Sequence, residues 1–465
     1  MTSQPSRIGE QPAPSRGEPR ELTLAVGAPA HGGHCVARPV DDPGGRVIFV
    51  RHALPGETVR ARLTEMTSRT WRADAVEILQ ASPDRVESVW PEAGPAGVGG
   101  GELAHVALDA QRTWKRWVLA DCLRRIGGQE AADAVAALPE ASGAAAVPVE
   151  PMPTDAAAQA SSSARRRALA GTATRTRISL TVSEDGRPGM HAFRSGTVLP
   201  LRHLPLAVGA ITEIGLLERS RWRAHYRPGM RIEAIAPSGG EPVVLLDERL
   251  LTAQARSTGR RRVREVVDAS ALGLGELTYS VHAEGFWQVH VDAPRMLVER
   301  VVRGALGEDL EGAAGSRVLE LYSGAGLFTL PLAALVGDSG QVLSLEGNEQ
   351  AVRDARRTLH DHPAARLASG RVSARSVREL AGSFKGGRPD VVVLDPPRQG
   401  AGREIVEAVG ALGAERIVLV ACDPAALARD LGTLLRSGYA LGSMSALDMF
   451  PHTHHFETIA VLERP

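Results

Sequence analysis

The sequence predicts an α/β fold for the C-terminal part of the chain, preceded by a small β-barrel and a mostly β central region. From about residue 290, apolar segments such as RVLEL, DVVVLD and RIVLVA alternate with helical stretches, the pattern of a parallel sheet covered by helices on both faces. Residues 21–80 and 165–283 are instead rich in short strand-like segments. The chain has 465 residues, which is room for about two to four domains.

The N-terminal region predicts a five-stranded barrel of the OB type. Five short segments rich in β-branched residues lie within residues 21–80, and most are separated by Gly- or Pro-containing turns such as DDPGG and LPGE. Residues 1–20 are polar and rich in Pro, Gly and Arg, and they lack the apolar core of a signal peptide. We expect a disordered tail there.

The remaining boundaries follow from changes of pattern. A central domain is expected over residues 81–283 and the α/β domain over residues 284–465. Within the central domain, residues 128–164 are dominated by Ala, Pro, Ser and Gly without sustained periodicity. This stretch is interpreted as a linker or an insertion.

Composition excludes several classes of protein. The 54 basic and 54 acidic residues balance, which excludes a uniformly cationic nucleic-acid binder but not a polarised one. The apolar runs are short and interrupted, so no membrane span is expected. The three scattered cysteines argue against a disulfide framework and favour a reducing, cytoplasmic location. No obligate protein partner is evident.

A glycine turn and a downstream carboxylate predict a ribose-binding edge of the sheet. Gly324 and Gly326 follow the strand RVLEL and allow the backbone to approach a ligand closely. Thr329 stands where a third glycine would complete a dinucleotide fingerprint, which disfavours NAD. Glu346 ends the next strand and can accept hydrogen bonds from both ribose hydroxyls. S-adenosylmethionine needs that contact without a pyrophosphate, although a purely structural turn is an equal alternative.

Two further motifs follow strands of the same sheet. Asp395-Pro-Pro-Arg aims a carboxylate at the carboxyl edge, or alternatively forms only a rigid loop. Cys422 lies between a strand and a helix for which Asp423 is the predicted N-cap and Pro424 the first residue. Near a helix N-terminus the thiolate is stabilised, so we expect a lowered pKa and a nucleophile. A packed core cysteine is the alternative.

The segment LDMFPHTHHFE predicts a general base. Glu457 begins the last apolar strand and can face the crevice; the alternative is an exposed glutamate. His452, His454 and His455 are close together but lack a second ligand cluster in the sequence, so no metal site is predicted.

The motifs DPPRQG, ACDPAALARDL and LDMFPHTHHFE, in this order, resemble the RNA (uracil-5-)-methyltransferase family, as do LYSGAG and GFWQVH. The turns GGHCVAR and ALPGETV are similar to the TRAM domain of its ribosomal-RNA members. The resemblance implies a Rossmann-like class I methyltransferase domain, S-adenosyl-L-methionine as methyl donor, and an RNA-binding central domain. It also implies Cys422 as nucleophile, Glu457 as proton acceptor, and donor contacts from Gln288, Tyr322, Glu346 and Asp395.

The implied activity is formation of 5-methyluridine in structured RNA, with ribosomal RNA favoured over transfer RNA. Cytosine methylation is disfavoured because a Pro-Cys pair is absent after the DVVVLD strand. A catalytically silent RNA-binding or RNA-folding protein is the alternative of another class. Arginine clusters at 165–167 and 260–264 are candidates for the RNA backbone, or are simply solvated.

The sequence departs from the family at three places. The stretch 90–101, where cluster-bearing members have cysteines, contains none, and Val98 and Gly101 stand at two ligand positions. We therefore expect no iron–sulfur cluster. Asp423 and His290 each replace a usual asparagine close to the expected site.

Overall fold

The computed structural model describes residues 21–465 and divides the chain into two compact units, with the boundary between Arg85 and Val86. Each unit is described by itself. The predicted disordered tail, residues 1–20, lies outside the described residues. Among the residues described, no helix is long and apolar enough to cross a membrane.

The N-terminal unit is a closed five-stranded barrel, which confirms the prediction. Its strands are β1 (Glu21–Ala30), β2 (His34–Pro39), β3 (Ile48–Arg51), β4 (Thr58–Met66) and β5 (Trp71–Gln80). Their order around the barrel is β1-β2-β3-β5-β4. Alternate residues point inward, as the period of a strand requires, so that Leu24, Ile48 and Val59 are fully buried.

The second unit begins with helices and continues into strands. Its first elements are α1 (Leu108–Cys122), α2 (Gln129–Ala136), β6 (Val149–Pro151), α3 (Pro153–Gln159), α4 (Ala164–Ala168), β7 (Arg177–Val182), β8 (Pro188–His191), β9 (Val198–Pro200), α5 (Gly209–Thr212), α6 (Ser220–Arg223), β10 (Arg231–Ile235), β11 (Val243–Leu246), β12 (Arg249–Thr252), β13 (Arg262–Asp268) and β14 (Glu276–His282). Six of these strands form one sheet of order β12-β11-β10-β7-β8-β9, and β13 pairs with β14. Residues 165–283 are mainly β, as predicted.

The C-terminal part alternates helices and strands. Its elements are α7 (Ala293–Leu306), β15 (Arg317–Leu321), α8 (Thr329–Val336), β16 (Gln341–Glu346), α9 (Glu349–Thr358), β17 (Ala365–Ser369), α10 (Ala374–Ala381), β18 (Val391–Leu394), α11 (Arg403–Gly410), β19 (Arg416–Ala421), α12 (Pro424–Arg436), β20 (Ala440–Asp448) and β21 (Glu457–Glu463). They build an eight-stranded sheet of order β17-β16-β15-β18-β19-β21-β20-β6. Strands β15 to β19 are parallel and β21 is antiparallel, so the predicted α/β fold is confirmed.

The linker interpretation of residues 128–164 is corrected by the structure. This segment contains α2, β6 and α3, and β6 pairs in parallel with β20 as the edge strand of the main sheet. Val149 and Met152 are buried. Helix α2 buries Ala131, Ala132 and Val135, and α3 buries only Asp155. Neither helix therefore shows a stripe of large apolar residues, which explains why the pattern is not visible in the sequence.

Candidate active site

A cavity of about 1160 Å³ lies at the carboxyl ends of the parallel strands, where ligands bind in sheets of this kind. The six predicted site residues all line it: Gln288, Tyr322, Glu346, Asp395, Cys422 and Glu457. The sequence separates the first and last of these by more than a third of the chain, and the fold brings them to one enclosed space.

The turn after β15 is built for close approach of a ligand. Tyr322, Gly324 and Gly326 have φ values of 65°, 54° and 87°. For Tyr322 this left-handed conformation costs about 1–3 kcal/mol, a strain that concentrates at functional sites, and its N–H donates to the Leu345 carbonyl at 2.8 Å. A Cβ on Gly324 would meet no protein atom within 4 Å, whereas one on Gly326 would come within 3.2 Å of Ala355 Cβ. Gly324 therefore faces open space, whereas Gly326 allows the turn to pack closely against Ala355.

Glu346 is fixed by backbone donors at the end of β16. Its Oε2 accepts from the N–H of Gly324 at 2.9 Å, and its Oε1 accepts from the N–H of Asn348 at 2.6 Å. Each carboxylate oxygen has two lone pairs, so one remains free on each oxygen. The carboxylate is therefore oriented by the fold and can still accept from two hydroxyls of a ligand.

Asp395 lies in a low-dielectric part of the cavity. Burial, with Glu346 nearby, raises its pKa to about 7. The loop that follows is held from α12, because Asp430 accepts from the Ala401 N–H at 2.8 Å and Arg429 donates to the Gln399 carbonyl at 3.1 Å. Arg429 and Asp430 belong to the motif ACDPAALARDL, but the sequence alone did not indicate that they support this loop.

Cys422 stands between β19 and α12, as predicted. The Asp423 side chain accepts from the N–H groups of Ala425 and Ala426 at 3.0 and 2.9 Å, and Pro424 is the first helical residue. The predicted N-cap is thus confirmed. The aspartate at this position has a structural task that an asparagine would also perform.

The expected low pKa of the Cys422 thiol is wrong for the ligand-free protein. Burial, with the carboxyl groups of Glu457 and Asp395, raises its pKa to about 12, while Arg398 acts in the opposite direction. The helix N-terminus does not outweigh these effects. Burial is the largest of these causes, so the ligand-free cavity favours the neutral thiol.

Glu457 is the first residue of β21 and is only 5% exposed. It pairs across the sheet with Leu447. Burial, with Asp395 as neighbour, raises its pKa well above the ordinary carboxyl value. The alternative of an exposed glutamate is therefore wrong, because this carboxyl group is buried and lines the cavity.

Gln288 is positioned by the loop that follows β14. Its side chain is 9% exposed and lines the cavity. The ring of the preceding Trp287 packs on Tyr279 with centroids 5.1 Å apart, and the Val289 carbonyl accepts from the Thr176 N–H at 2.8 Å. The central strands thus hold the loop from both sides of Gln288.

The histidines of LDMFPHTHHFE meet a carboxylate that the sequence did not place there. Glu102 is bonded to His454 Nδ1, and the ligand atoms of Glu102, His454 and His455 lie within 4.8 Å of one another. Glu102 is a single carboxylate and not a second ligand cluster, so the absence of a metal site stays a prediction. Burial, with His454 and the cation of Arg398, lowers the pKa of His455 to about 3, so its imidazole is neutral near pH 7.

Three further side chains line the cavity. Arg175 is half-buried, and its guanidinium donates to the Gly100 carbonyl at 3.5 Å. Phe286 is 75% exposed. His455 completes the set. Phe286 belongs to the GFWQVH motif, so its place at the cavity could be expected from the sequence. No motif singled out Arg175.

Comparison with known proteins gives the same assignment. The family model for tRNA (Uracil-5-)-methyltransferase matches residues 275–465, and that for the TRAM domain matches residues 18–76. An uncharacterized RNA methyltransferase of Streptomyces avermitilis is 39% identical, covering 95% of this chain and 98% of the relative. The 23S rRNA (uracil(1939)-C(5))-methyltransferase RlmD of Acinetobacter baumannii is 30% identical, covering 94% and 92%.

A solved structure shares the fold. The tRNA (uracil-54, C5)-methyltransferase of Pyrococcus abyssi, in complex with S-adenosyl-L-homocysteine, matches with a TM-score of 0.61 and 20% identity, covering 94% of this chain and 99% of that one. Together with the relatives of at least 30% identity over nearly their whole length, this match agrees with the motifs and the cavity. The chain belongs to the S-adenosylmethionine-dependent RNA (uracil-5-)-methyltransferase family and carries a TRAM domain in its N-terminal unit.

Proposed function

We propose that this protein forms 5-methyluridine in ribosomal RNA through a transient covalent bond between Cys422 and the target uracil. The observation that carries the proposal is that one cavity contains a cysteine, a buried carboxyl group and a glycine turn with its ribose-type acceptor. Methylation at carbon 5 of a uracil needs these three elements together, because this carbon is a weak nucleophile until carbon 6 has been attacked.

The methyl donor is expected at the glycine turn. Glu346 would accept from the two ribose hydroxyls, since each of its oxygens retains a lone pair, and the open side of Gly324 leaves room for the nucleoside. Gln288, Tyr322 and Asp395 are also assigned to binding of the methyl donor. The family resemblance implies this role, and all three side chains line the same cavity. The sulfonium would add a positive charge to a cavity that is rich in carboxyl groups.

The reaction that these residues support is balanced in atoms and charges. The Cys422 thiolate adds to carbon 6, and the electron pair moves to form an enolate across carbons 5 and 4. Carbon 5 then takes the methyl group from the sulfonium, which leaves as a neutral thioether. Glu457 removes the proton from carbon 5, and the electron pair expels the thiolate from carbon 6. Arg398 and Gln288 are both candidates for donating to the enolate oxygen.

The raised pKa values fit an order of events. In the ligand-free cavity the thiol is protonated, because burial and two carboxyl groups disfavour its anion. A sulfonium cation would oppose the effect of those carboxyl groups. We infer that the donor binds before the thiolate forms, which would limit reaction of the sulfur in the absence of donor.

The choice of ribosomal RNA rests on relatives rather than on the cavity. The relative from Acinetobacter baumannii, whose name specifies 23S rRNA, is 30% identical over nearly its whole length. The tRNA (uracil-54, C5)-methyltransferase of Pyrococcus abyssi is only 20% identical. The N-terminal unit matches the TRAM domain model, and the sequence resemblance associates this domain with the ribosomal-RNA members. Transfer RNA is the competing substrate.

We also infer that the protein holds no iron–sulfur cluster. A [4Fe–4S] cluster usually takes four thiolates, and the chain has three cysteines. Cys35 is buried in the barrel and Cys122 belongs to α1, while the stretch 90–101 has no cysteine. Iron and acid-labile sulfide analysis of protein purified without oxygen tests this inference, and stoichiometric iron and sulfide would contradict it.

The covalent step is tested with RNA that contains 5-fluorouridine. Fluorine at carbon 5 cannot be removed as a proton, so the enzyme with S-adenosylmethionine should form an adduct that survives denaturation. Cys422→Ala should abolish the adduct, and the matched control Cys122→Ala should retain it. Glu457→Gln should retain adduct formation but lose turnover on ordinary RNA.

The outcomes separate the competing functions. An adduct that persists in Cys422→Ala contradicts the assignment of the nucleophile, and rapid turnover by Glu457→Gln contradicts that of the base. Wild-type protein that binds RNA without any methylation would be the silent RNA-binding alternative. Adducts with 5-fluorocytidine RNA in place of 5-fluorouridine RNA would indicate a cytosine enzyme.

A further inference from the structure

Five exposed arginines lie close together on the central part of the second unit. They are Arg219, Arg221, Arg223, Arg227 and Arg231, and we call them the arginine surface. Residues 219–231 contain no aspartate or glutamate. In a chain whose charges otherwise balance, five positive charges within thirteen residues form a strongly polarised surface.

The backbone under this surface is anchored. Trp222 is fully buried, and its Nε1–H donates to the Ile214 carbonyl at 3.1 Å. The Tyr226 hydroxyl donates to the Leu216 carbonyl at 2.8 Å. The arginines are therefore presented from a fixed segment, so less conformational entropy is lost when they bind a partner.

The arginine surface is not neutralised as other surface arginines are. On the helices of the α/β part, arginines at i,i+4 spacing pair with glutamates, as in Arg353–Glu349 at 3.4 Å. Within residues 21–465, only one member of the arginine surface has a carboxylate partner, Arg231 with Glu233. The other four form no ion pair with a described residue, although Arg221 donates to the Ile214 carbonyl at 3.2 Å.

A polar groove adjoins the arginine surface. It has a volume of about 1270 Å³, and both Gly229 and Arg231 line it. The remaining lining includes four hydroxyl side chains from β7, the turn after it and the turn before β9: Ser179, Thr181, Ser183 and Thr197. The turn after β7 also brings the carboxylates of Glu184 and Asp185 to the groove, and Asp185 is paired with Arg187. Hydroxyl groups and guanidinium groups are the common donors to phosphate and ribose oxygens.

We propose that the arginine surface and its groove bind the sugar-phosphate backbone of the substrate RNA, at a place other than the target nucleotide. None of the exposed large apolar side chains among the described residues falls within 219–231, so nothing there would insert into a membrane. The donors match phosphates, and the family acts on RNA. The proposal rests on the RNA substrate of the proposed function and adds a docking site to it.

The test compares two triple variants. Arg219→Gln, Arg223→Gln and Arg227→Gln together remove three unneutralised charges. The matched control replaces three exposed, glutamate-paired arginines by glutamine: Arg353, Arg375 and Arg403. The dissociation constant of a structured ribosomal-RNA fragment is measured over a series of salt concentrations, together with the affinity for S-adenosyl-L-homocysteine.

We expect the first variant to bind RNA about tenfold more weakly near 0.1 M salt. We also expect the slope of log K against log salt to be smaller in magnitude by about two, because each phosphate contact contributes about 0.7 for single strands. The control variant should keep both values. A lysine variant at positions 219, 223 and 227 should keep the salt slope, which shows that charge and not folding is responsible.

Three results would overturn the proposal or locate the failure elsewhere. Equal RNA affinity and equal salt slope in the glutamine variant and the control would overturn it. So would a lysine variant as weak as the glutamine variant while S-adenosyl-L-homocysteine still binds normally. If the wild-type protein itself bound no RNA, the proposed function would fail first.

Discussion

The reactivity of Cys422 toward an alkylating agent should depend on pH and on the charge of the bound nucleoside. In the ligand-free cavity, burial together with Glu457 and Asp395 raises the pKa of the thiol to about 12, from an ordinary value of 9.0. Only the thiolate reacts with iodoacetamide. The rate of alkylation therefore reports directly on the electrostatics of the cavity.

The magnitude follows from the two pKa values. At about pH 8, a thiol with a pKa of 9.0 is ionised to roughly one part in ten, and one with a pKa of about 12 to roughly one part in ten thousand. Cys422 should thus react about a thousandfold more slowly than an unperturbed thiol. Its rate should rise about tenfold for each pH unit from about pH 7 to about pH 10, without a plateau.

The assay follows alkylation of the Cys422 peptide by mass spectrometry, with Cys422→Ser as the control for peptide assignment. S-adenosyl-L-homocysteine and S-adenosylmethionine are compared at equal occupancy, because they differ by one positive charge at sulfur and have almost the same shape. The cation should raise the alkylation rate relative to the neutral thioether. Glu457→Gln should also raise it, since a carboxyl group that disfavours the thiolate is removed.

Two results would refute this reasoning. A plateau below about pH 9 in the ligand-free protein would mean that the thiol pKa is not raised. Equal rates with the charged and the neutral nucleoside would mean that the donor does not set the ionisation of the sulfur, and that the inferred order of events is wrong.

Other substitutions test the supports of the site. Glu346→Ala should weaken S-adenosyl-L-homocysteine binding at least tenfold in calorimetric titration, about 1.4 kcal/mol, because two backbone donors and the ribose lose their acceptor. Asp155→Ala should destabilise the protein by about 1–3 kcal/mol in urea, since His290 Nε2 loses its partner at 3.1 Å, whereas Asp155→Asn should be milder. Lys115→Met should cost about 3–5 kcal/mol in urea, because Asp448 is left buried without its cation; an unchanged midpoint would contradict this.

The parts of the fold that were predicted are those with strong local patterns. The helix expected to begin at Pro424 is α12, Pro424–Arg436, and the apolar segment RIVLVA is β19. The short edge strands β6 and β17 were missed. β17 has the sequence ARLAS and is nowhere fully buried, so it lacks the apolar run that marks the central strands. β6 owes its conformation to pairing with β20, which no local window contains.

The site was predicted where a motif ends a strand, and missed where it depends on distant chain segments. Cys422 and Asp395 follow apolar strands, so the direction of the sheet places them at one edge. The thiol pKa could not be foreseen, because it depends on Glu457 across the sheet. Glu102 lies more than 350 residues from His454 in the sequence, and no local pattern relates them.

The region before the α/β domain positions the segment that leads to Glu457, the residue proposed as the base. The loop between β20 and β21, which ends at Glu457, is held by α1: Lys115 pairs with Asp448, and Gln111 accepts from the His452 N–H at 2.7 Å. Gln111 and Lys115 are fully buried, so these bonds are formed where water does not compete with them. The carboxyl group of Glu457 therefore depends for its place on a helix some 340 residues earlier in the chain. Under the proposed mechanism, the two parts of the second unit have to fold together for Glu457 to act.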